Sequence, residues 1–260
     1  MRLKNKLYNE ALRDKKESVI TNDGSCTLYS FEFEEHYHST TEGALMESLH
    51  KHVIPAFSLI KTKKELHILD ICFGLGYNTF ATLYYVLKNN LALNIHIYSP
   101  EFDKKLVQNL KNFNYPDEFK EMKEIINSIS EHFYYEDKRF TITVMIGDAR
   151  IEIPKLTQKI DIVYQDAFSF QKNPLLWTKE YFSSLRDICA SDAILTTYSS
   201  ATNVRMGLWE SGWSIYLPNK QNVRIGTIAS LGELELEKVD MELKISRNKE
   251  AKSLKDSEYI

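Results

Sequence analysis

Cysteine is scarce: there are 3 in 260 residues, and Cys26, Cys72 and Cys189 stand far apart with no Cys-x-x-Cys spacing. That argues against a disulfide framework or a cysteine-built zinc site and suits reduced, cytosolic thiols. No apolar run approaches the length of a membrane-spanning helix, so no membrane partner is expected. The N-terminus, MRLKNKLYNEALRDKK, is basic but lacks the apolar segment of a secretory signal. A cytoplasmic location is therefore expected. Excess positive charge is missing too. The 33 Lys and Arg against 36 Asp and Glu give a net charge of −3, so any contact with nucleic acid must come from local basic patches. Repeats, low-complexity blocks and an interdomain linker are also lacking. With 43% hydrophobic and 27% charged residues, the chain suits one large domain, or one domain with an appendage.

Glycine is thin as well, 9 in all, yet two fall close together in LHILDICFGLGYNTF, residues 66–80. Leu66–Ile71 is a short apolar run that suits a buried parallel strand. Gly74 and Gly76 follow at once, and Asn78–Leu87 carries apolar residues at helical spacing. Strand, glycine turn and helix make the nucleotide-cradling corner of a doubly wound α/β domain. Glycine serves there because the backbone must turn sharply and approach a ligand closely. A dinucleotide fingerprint would place a third glycine where Thr79 stands. Asp70, four residues before Gly74, instead makes the segment similar to the acidic-x-x-x-Gly-x-Gly opening of class I S-adenosyl-L-methionine-dependent methyltransferases.

The rest of the chain builds around that corner. Residues 1–16 form a basic arm, either solvated or contacting phosphate. Asn22-Asp23-Gly24-Ser25 is a hairpin turn between two β-rich runs, which predicts a small N-terminal β-ribbon. His36 and His38 are open to two readings, metal ligands or hydrogen-bonded polar lining, with no third ligand nearby. Thr40 or Thr41 is a candidate cap for a helix through Val53 that Pro55 ends or kinks. Strands are predicted at 93–99, 140–146, 160–164, 193–198, 213–217 and 223–229. Residues 103–138 read as two helices broken near Pro116. The alternation predicts one mostly parallel sheet with helices on both faces. The resulting division is 1–55 for the arm, ribbon and a helix packed on the main domain, 56–230 for a Rossmann-like domain, and 231–260 for a lysine-rich appendage open to disorder.

Acidic residues mark the tips of these strands. Glu101 ends the second parallel strand, where a carboxylate can accept hydrogen bonds from a ribose diol; it also precedes a helix, whose dipole favours an acid there. Asp148, in Gly147-Asp148-Ala149, follows the third strand, where this fold class places an acid near an adenine amino group. Asp166 stands at the tip of the fourth strand and opens the loop DAFSFQKNPLLWT, rich in aromatics that can stack on a base and in polar turn residues.

Five blocks then resemble the methyltransferase domain of the bacterial tRNA 5-methylaminomethyl-2-thiouridine biosynthesis enzyme, of MnmC/MnmD type. They are TNDGSCTLY, EHYHSTTEGALMES, FGLGYN, DAFSFQKNPLLWT and TTYSSATNVRMGLWESGW, in family order across roughly residues 20–230. The resemblance implies a class I methyltransferase fold behind a small β-ribbon. It implies S-adenosyl-L-methionine as cofactor, held by Asp70, Phe73, Gly74, Gly76, Asn78, Glu101, Asp148 and Asp166. The implied reaction methylates the exocyclic amine of 5-aminomethyl(-2-thio)uridine at the tRNA wobble position, with Asp166 catalytic and no metal. Phe168 and Trp177 are implied as walls for the uridine, with Lys172, Asn173, Ser200 and Arg205 as further substrate contacts. The stand-alone form is implied, without the flavin domain of the bifunctional enzyme and with a separate flavin-dependent enzyme as partner. Cys72 replaces a usual glycine, Tyr77 a common leucine, and Ala167-Phe168-Ser169-Phe170 stands where Gly-Phe-Ala-Pro is typical. A small-amine or polyamine transferase of the same fold, and a non-catalytic nucleotide- or RNA-binding module, stay open as alternatives.

Overall fold

The computed structural model of the chain describes residues 15–60, 63–218, 226–248 and 250–260. Most of the basic arm (Arg2, Lys4, Lys6 and Arg13) and the first half of the expected last strand lie outside the described residues.

The described chain opens with β1 (Lys16–Ile20), β2 (Cys26–Ser30) and β3 (Glu35–His36), a three-stranded antiparallel sheet in sequence order. The Asn22–Ser25 turn joins the first two, with Gly24 at φ 82°. Asp23 closes the turn by accepting from Ser25 N at 3.0 Å and Thr21 Oγ1 at 2.7 Å. Next comes α1 (Ala44–Ser48), a π-helical turn over Leu49–Val53, and α2 (Ile54–Leu59). Thr40 and Thr41 do not cap this helix; its start is Gly43, at φ 94°, with no side-chain cap. Pro55 does not end the run either. It sits in the first turn of α2, where a missing N–H costs little because the π turn has already shifted the bonding.

The main sheet is built from β4 (Glu65–Ile71), α3 (Tyr77–Lys88), β5 (Asn94–Glu101), α4 (Lys104–Asn109), α5 (Lys123–His132), β6 (Tyr134–Glu136), β7 (Phe140–Ile146), α6 (Ala149–Glu152), β8 (Ile160–Gln165), α7 (Lys179–Ile188), β9 (Cys189–Thr197), α8 (Thr202–Glu210), β10 (Ser214–Tyr216) and β11 (Thr227–Ser230). Its eight strands run β10-β11-β9-β8-β4-β5-β7-β6. The five central strands are parallel, and β6, β10 and β11 pair antiparallel at the edges. Strand order reverses at β4, which has β5 on one side and β8 on the other. The crevice at that switch point is where an open α/β sheet binds ligands. Strand β6 departs from the two-helix reading of 103–138: α5 stops at Phe133, in left-handed conformation at φ 57°, and the aromatic run Tyr134-Tyr135 pairs with β7.

Two apolar clusters cover the sheet faces. One packs Leu66 and Ile68 of β4 with Phe80 and Leu83 of α3 and Ile125 and Ile129 of α5. The other packs Leu69, Val163 and Leu195 with Trp177, Phe182 and Trp213. The described residues of the C-terminal stretch, 231–248 and 250–260, pack on the main domain. Leu234 and Leu236, from the Glu-Leu alternation, cover Ile194, Tyr216 and Ile228. Met241 of α9 (Met241–Arg247) and Leu254 are buried in the second cluster. Asp256 ties the end down by pairing with Arg150, Nη1 to Oδ1 3.0 Å, and by accepting from Thr178 Oγ1 at 2.7 Å. Apolar residues at alternate positions beside an open sheet edge gain more from burial than their charged neighbours lose. No helix among the described residues is long and apolar enough to cross a membrane.

Candidate active site

The loops after β4, β5, β7, β8 and β9 close around a cavity of about 510 Å³, large enough for a cofactor-sized ligand. Beneath it lies the glycine corner. Cys72 and Gly74 both take left-handed backbone, at φ 65° and 54°. A cysteine tolerates that conformation with strain, which accounts for the glycine otherwise usual there. Gly76, at φ 73°, starts α3; a Cβ on it would sit 2.6 Å from the Phe80 ring and 2.9 Å from Phe73. Gly76 and Asp70 therefore shape the corner from below and do not line the cavity, whereas Phe73, Gly74 and Asn78 do.

Glu101 stands at the tip of β5 and is buried. Its Oε2 accepts from Gly74 N and its Oε1 from Asp103 N, each at 2.7 Å. Both oxygens are thus engaged by backbone N–H groups, and the residue lines the cavity, where a carboxylate can accept from a vicinal diol. Burial raises its pKa against those hydrogen bonds. Asp148 lines the cavity from the tip of β7 and caps α6, accepting from Arg150 N at 2.9 Å.

Asp166 follows β8 directly, with its side chain 13% exposed. Its Oδ2 accepts from Asn78 Nδ2 at 2.8 Å. Its Oδ1 lies 3.4 Å from Nε2 of His52, a fully buried imidazole. That nitrogen makes no hydrogen bond among the described residues; the pair is close but not aligned. The other ring nitrogen of His52 is 3.0 Å from Thr196 Oγ1 on β9. Burial works to raise the Asp166 pKa, but His52, His38 and the Asn78 bond outweigh it and hold the carboxyl below its ordinary range. Asn78 also donates to Asp70 Oδ1 at 3.2 Å, and Thr79 Oγ1 donates to Asp70 Oδ2 at 2.8 Å.

The opposite wall comes from the N-terminal ribbon. Phe33 stacks on Phe168 with ring centroids 4.5 Å apart and planes 18° off parallel, and Tyr37 meets Phe168 edge-on. Glu35 clamps the Asp166 loop by accepting from Ser169 N at 2.9 Å and from the Ser169 hydroxyl. His38 is buried in the lining, 3.3 Å from Thr27 Oγ1, and burial depresses its pKa to about 4, so it is neutral near pH 7. His36 is exposed beside Tyr29. Glu47 of α1 reaches the same cavity and accepts from Ser39 N at 2.6 Å.

Of the expected substrate residues, Phe168 and Asn173 line the cavity. Trp177 does not. It is wholly buried and donates from Nε1 to Phe168 O at 2.8 Å, so it supports the loop from behind. Lys172 pairs with Glu34 on the outside of the loop. Ser200 is exposed beyond the cavity lining. Arg205 is no phosphate contact: it is 5% exposed and donates to Thr227 Oγ1 and Gly226 O. Its helix turns inward because Val204, Met206 and Leu208 are buried together. Sequence reasoning missed Phe33, Tyr37, Glu35, Glu47 and His52. Four of the five lie in or beside the EHYHSTTEGALMES block, whose density of histidine, hydroxyl and acidic residues was the available signal.

The donor set fits S-adenosyl-L-methionine. Glu101 offers paired acceptors, Gly74 leaves room where a Cβ would come 3.1 Å from Tyr37, and the buried Asn78 Oδ1 has no partner among the described residues. Sheet order, glycine corner and strand-tip acids together define a class I S-adenosyl-L-methionine-dependent methyltransferase. A family model described as S-adenosyl-L-methionine-dependent methyltransferase matches residues 115–228. The crystal structure of MnmC2 from Aquifex aeolicus superposes with a TM-score of 0.82 at 33% identity, over 96% of this chain and 81% of that one. The chain belongs to this MnmC-type methyltransferase family. It is 31% identical to an uncharacterised protein of Methanocaldococcus jannaschii over 82% of its length and 58% of that protein's. It is also 30% identical to the bifunctional tRNA 5-methylaminomethyl-2-thiouridine biosynthesis protein MnmC of Campylobacter fetus, over 72% of this chain but 31% of that one. The chain thus spans under two thirds of the length of these curated relatives.

Proposed function

We propose that this methyltransferase acts on the exocyclic amine of 5-aminomethyluridine or its 2-thio form at the wobble position of tRNA. The observation that carries the reading is the placement of Asp166. Its carboxylate lines the same cavity as Gly74 and Glu101, the candidate cofactor cradle, and as the aromatic residues Phe33, Tyr37 and Phe168. The family supports it: relatives are named for synthesis of the methylated product in tRNA.

S-adenosyl-L-methionine, when bound, supplies a methyl group on a sulfonium. Glu101 would hold its ribose, Asp148 its adenine amine, and Asn78 with the turn from Phe73 to Leu75 its polar tail. The protein's own work is to bring one amine into line and to remove water. Asp166, kept ionised, attracts an alkylammonium and orients its nitrogen. Asn78 holds the carboxylate by its hydrogen bond, and His52 stands beside it. The stacked rings present an aromatic face on which an unstacked uridine can lie. A separate flavin-dependent enzyme that removes a carboxymethyl group would supply the amine.

Asp166→Asn and Asp166→Ala test the reading, with methylation of 5-aminomethyluridine tRNA and cofactor affinity measured separately. A loss of about 100-fold or more in turnover is expected with cofactor still bound. Near-wild-type turnover by both variants overturns it. A small-amine enzyme would show no salt-sensitive tRNA affinity, so the salt dependence of binding separates that alternative.

A further inference from the structure

Asp166 is not the cavity's only carboxylate, and its partner comes from outside the parallel sheet. Glu47 lies on α1, five residues before His52. At 3.6 residues per turn, residues five apart point about 140° away from each other. Both nevertheless face the Asp166 region: Glu47 lines the cavity and His52 Nε2 is 3.4 Å from Asp166 Oδ1. The π turn over Leu49–Val53 intervenes, with Ile54 N bonded to Leu49 O. An extra residue in a turn rotates the helix beyond it, and such turns recur at functional sites.

We propose that Glu47 is the proton acceptor for the substrate amine, while Asp166 holds and aims that amine. The inference rests on the reading that an aminomethyl group is the substrate. The ammonium binds between the two carboxylates. One N–H bond breaks and an O–H bond forms on Glu47; the electron pair left on nitrogen then forms the N–C bond as the S–C bond of the sulfonium breaks. The secondary ammonium product leaves, and Glu47 returns its proton to water.

The surroundings divide the two roles. Facing Glu47 are Asp166 just after β8, Lys51 and His52 from its own helical run and Tyr198 just after β9, while His38 lines the same cavity from beyond β3. Burial, aided by the charge of Asp166, pushes Glu47 up to about 7, against the Ser39 N–H, Lys51 and His52. Lys51 is engaged with Glu42 at 3.3 Å. Asp166 is held low by contrast, which makes it a poor place to leave a proton. An acceptor works best with a pKa near the working pH.

Glu47→Gln tests this, since Gln can still accept from Ser39 N and preserve the fold. Single-turnover methylation would be followed against pH, alongside affinity for an anticodon stem-loop carrying 5-aminomethyluridine with no cofactor present. The wild type should level off above about pH 7. The variant should run about 100-fold slower there and recover as pH approaches the amine's own value, roughly 10 for an unperturbed alkylamine. It should also bind the cofactor-free stem-loop about tenfold more weakly, from loss of a charge-assisted hydrogen bond. Parallel profiles at every pH, or equal rates, overturn the role of Glu47 and leave the substrate reading intact. No methylation by the wild type overturns that reading, and this inference with it.

Discussion

The cavity has two walls, and they are made in different ways. The wall we assign to the cofactor comes from the tips of three neighbouring parallel strands, with Gly74 after β4, Glu101 ending β5 and Asp148 after β7. Their separation follows from strand spacing, about 4.8 Å per strand, so topology alone sets it. The wall we assign to the substrate is assembled from pieces distant in sequence: Phe33 and Tyr37 from the ribbon, Glu47 from α1, and Phe168 from the loop after β8. Only docking fixes it, through the Glu35–Ser169 clamp, the Phe33–Phe168 stack and the Lys16–Asp103 ion pair at 2.6 Å. A shared sheet can keep one ligand's contacts while an attachment of different sequence changes the other's.

If that division is real, variants should move one affinity and spare the other. The largest effect is expected at Glu101. Glu101→Ala removes two charged acceptors and releases Gly74 N, and cofactor affinity should fall by about 100-fold, roughly 2–3 kcal/mol. Calorimetry with S-adenosyl-L-methionine would read this, and tRNA affinity without cofactor should stay unchanged. A smaller effect is expected across the cavity. Phe33→Ala removes one face of the stacked pair, worth about 1–2 kcal/mol against a base, so KM for tRNA should rise roughly tenfold. Cofactor affinity should hold. A matching loss of cofactor binding in Phe33→Ala would show that the walls are one unit.

The same contrast explains what could be read from sequence. Gly74, Glu101, Asp148 and Asp166 were legible because strand periodicity locates strand tips, and chemistry concentrates there. Glu47 and His52 were not. Their common direction depends on a π turn, which helical periodicity does not anticipate, and on a helix that packs beside α3 from outside the sheet. Trp177 and Arg205 misled for a related reason. Both are residue types favoured in nucleic-acid contacts, yet one is core and the other a buried brace for Thr227 and Gly226. Spacing shows that a residue is near a strand tip; it does not show which side of the loop it takes. The tail misled through its lysines, while its leucines were the residues that decided its packing.

Asp70 lies behind both walls, and its predicted effect on either affinity is the smallest; what it moves is stability. It accepts from Thr79 and from Asn78, and Asn78 in turn holds Asp166. Burial pushes Asp70 up to about 7 with help from the Asp166 charge, against the Thr79 and Asn78 bonds. Between its ordinary 3.8 and about 7, the folded protein therefore keeps a proton that the unfolded chain has released. Stability from this group is full below that window and is lost as pH rises through it. Thermal unfolding of the cofactor-free protein should show Tm falling across that range by several degrees, since about 1 kcal/mol moves Tm by roughly 2–4 °C at this size. Glu47, also raised, contributes a share of the same sign. Asp70→Asn should flatten the slope without abolishing it, and Asp70→Asn with Glu47→Gln should flatten it further. A wild-type Tm that rises over this window would mean Asp70 is ionised in the folded protein. The link from Asp70 through Asn78 to Asp166 would then join two like charges, and the corner would be held together against their repulsion.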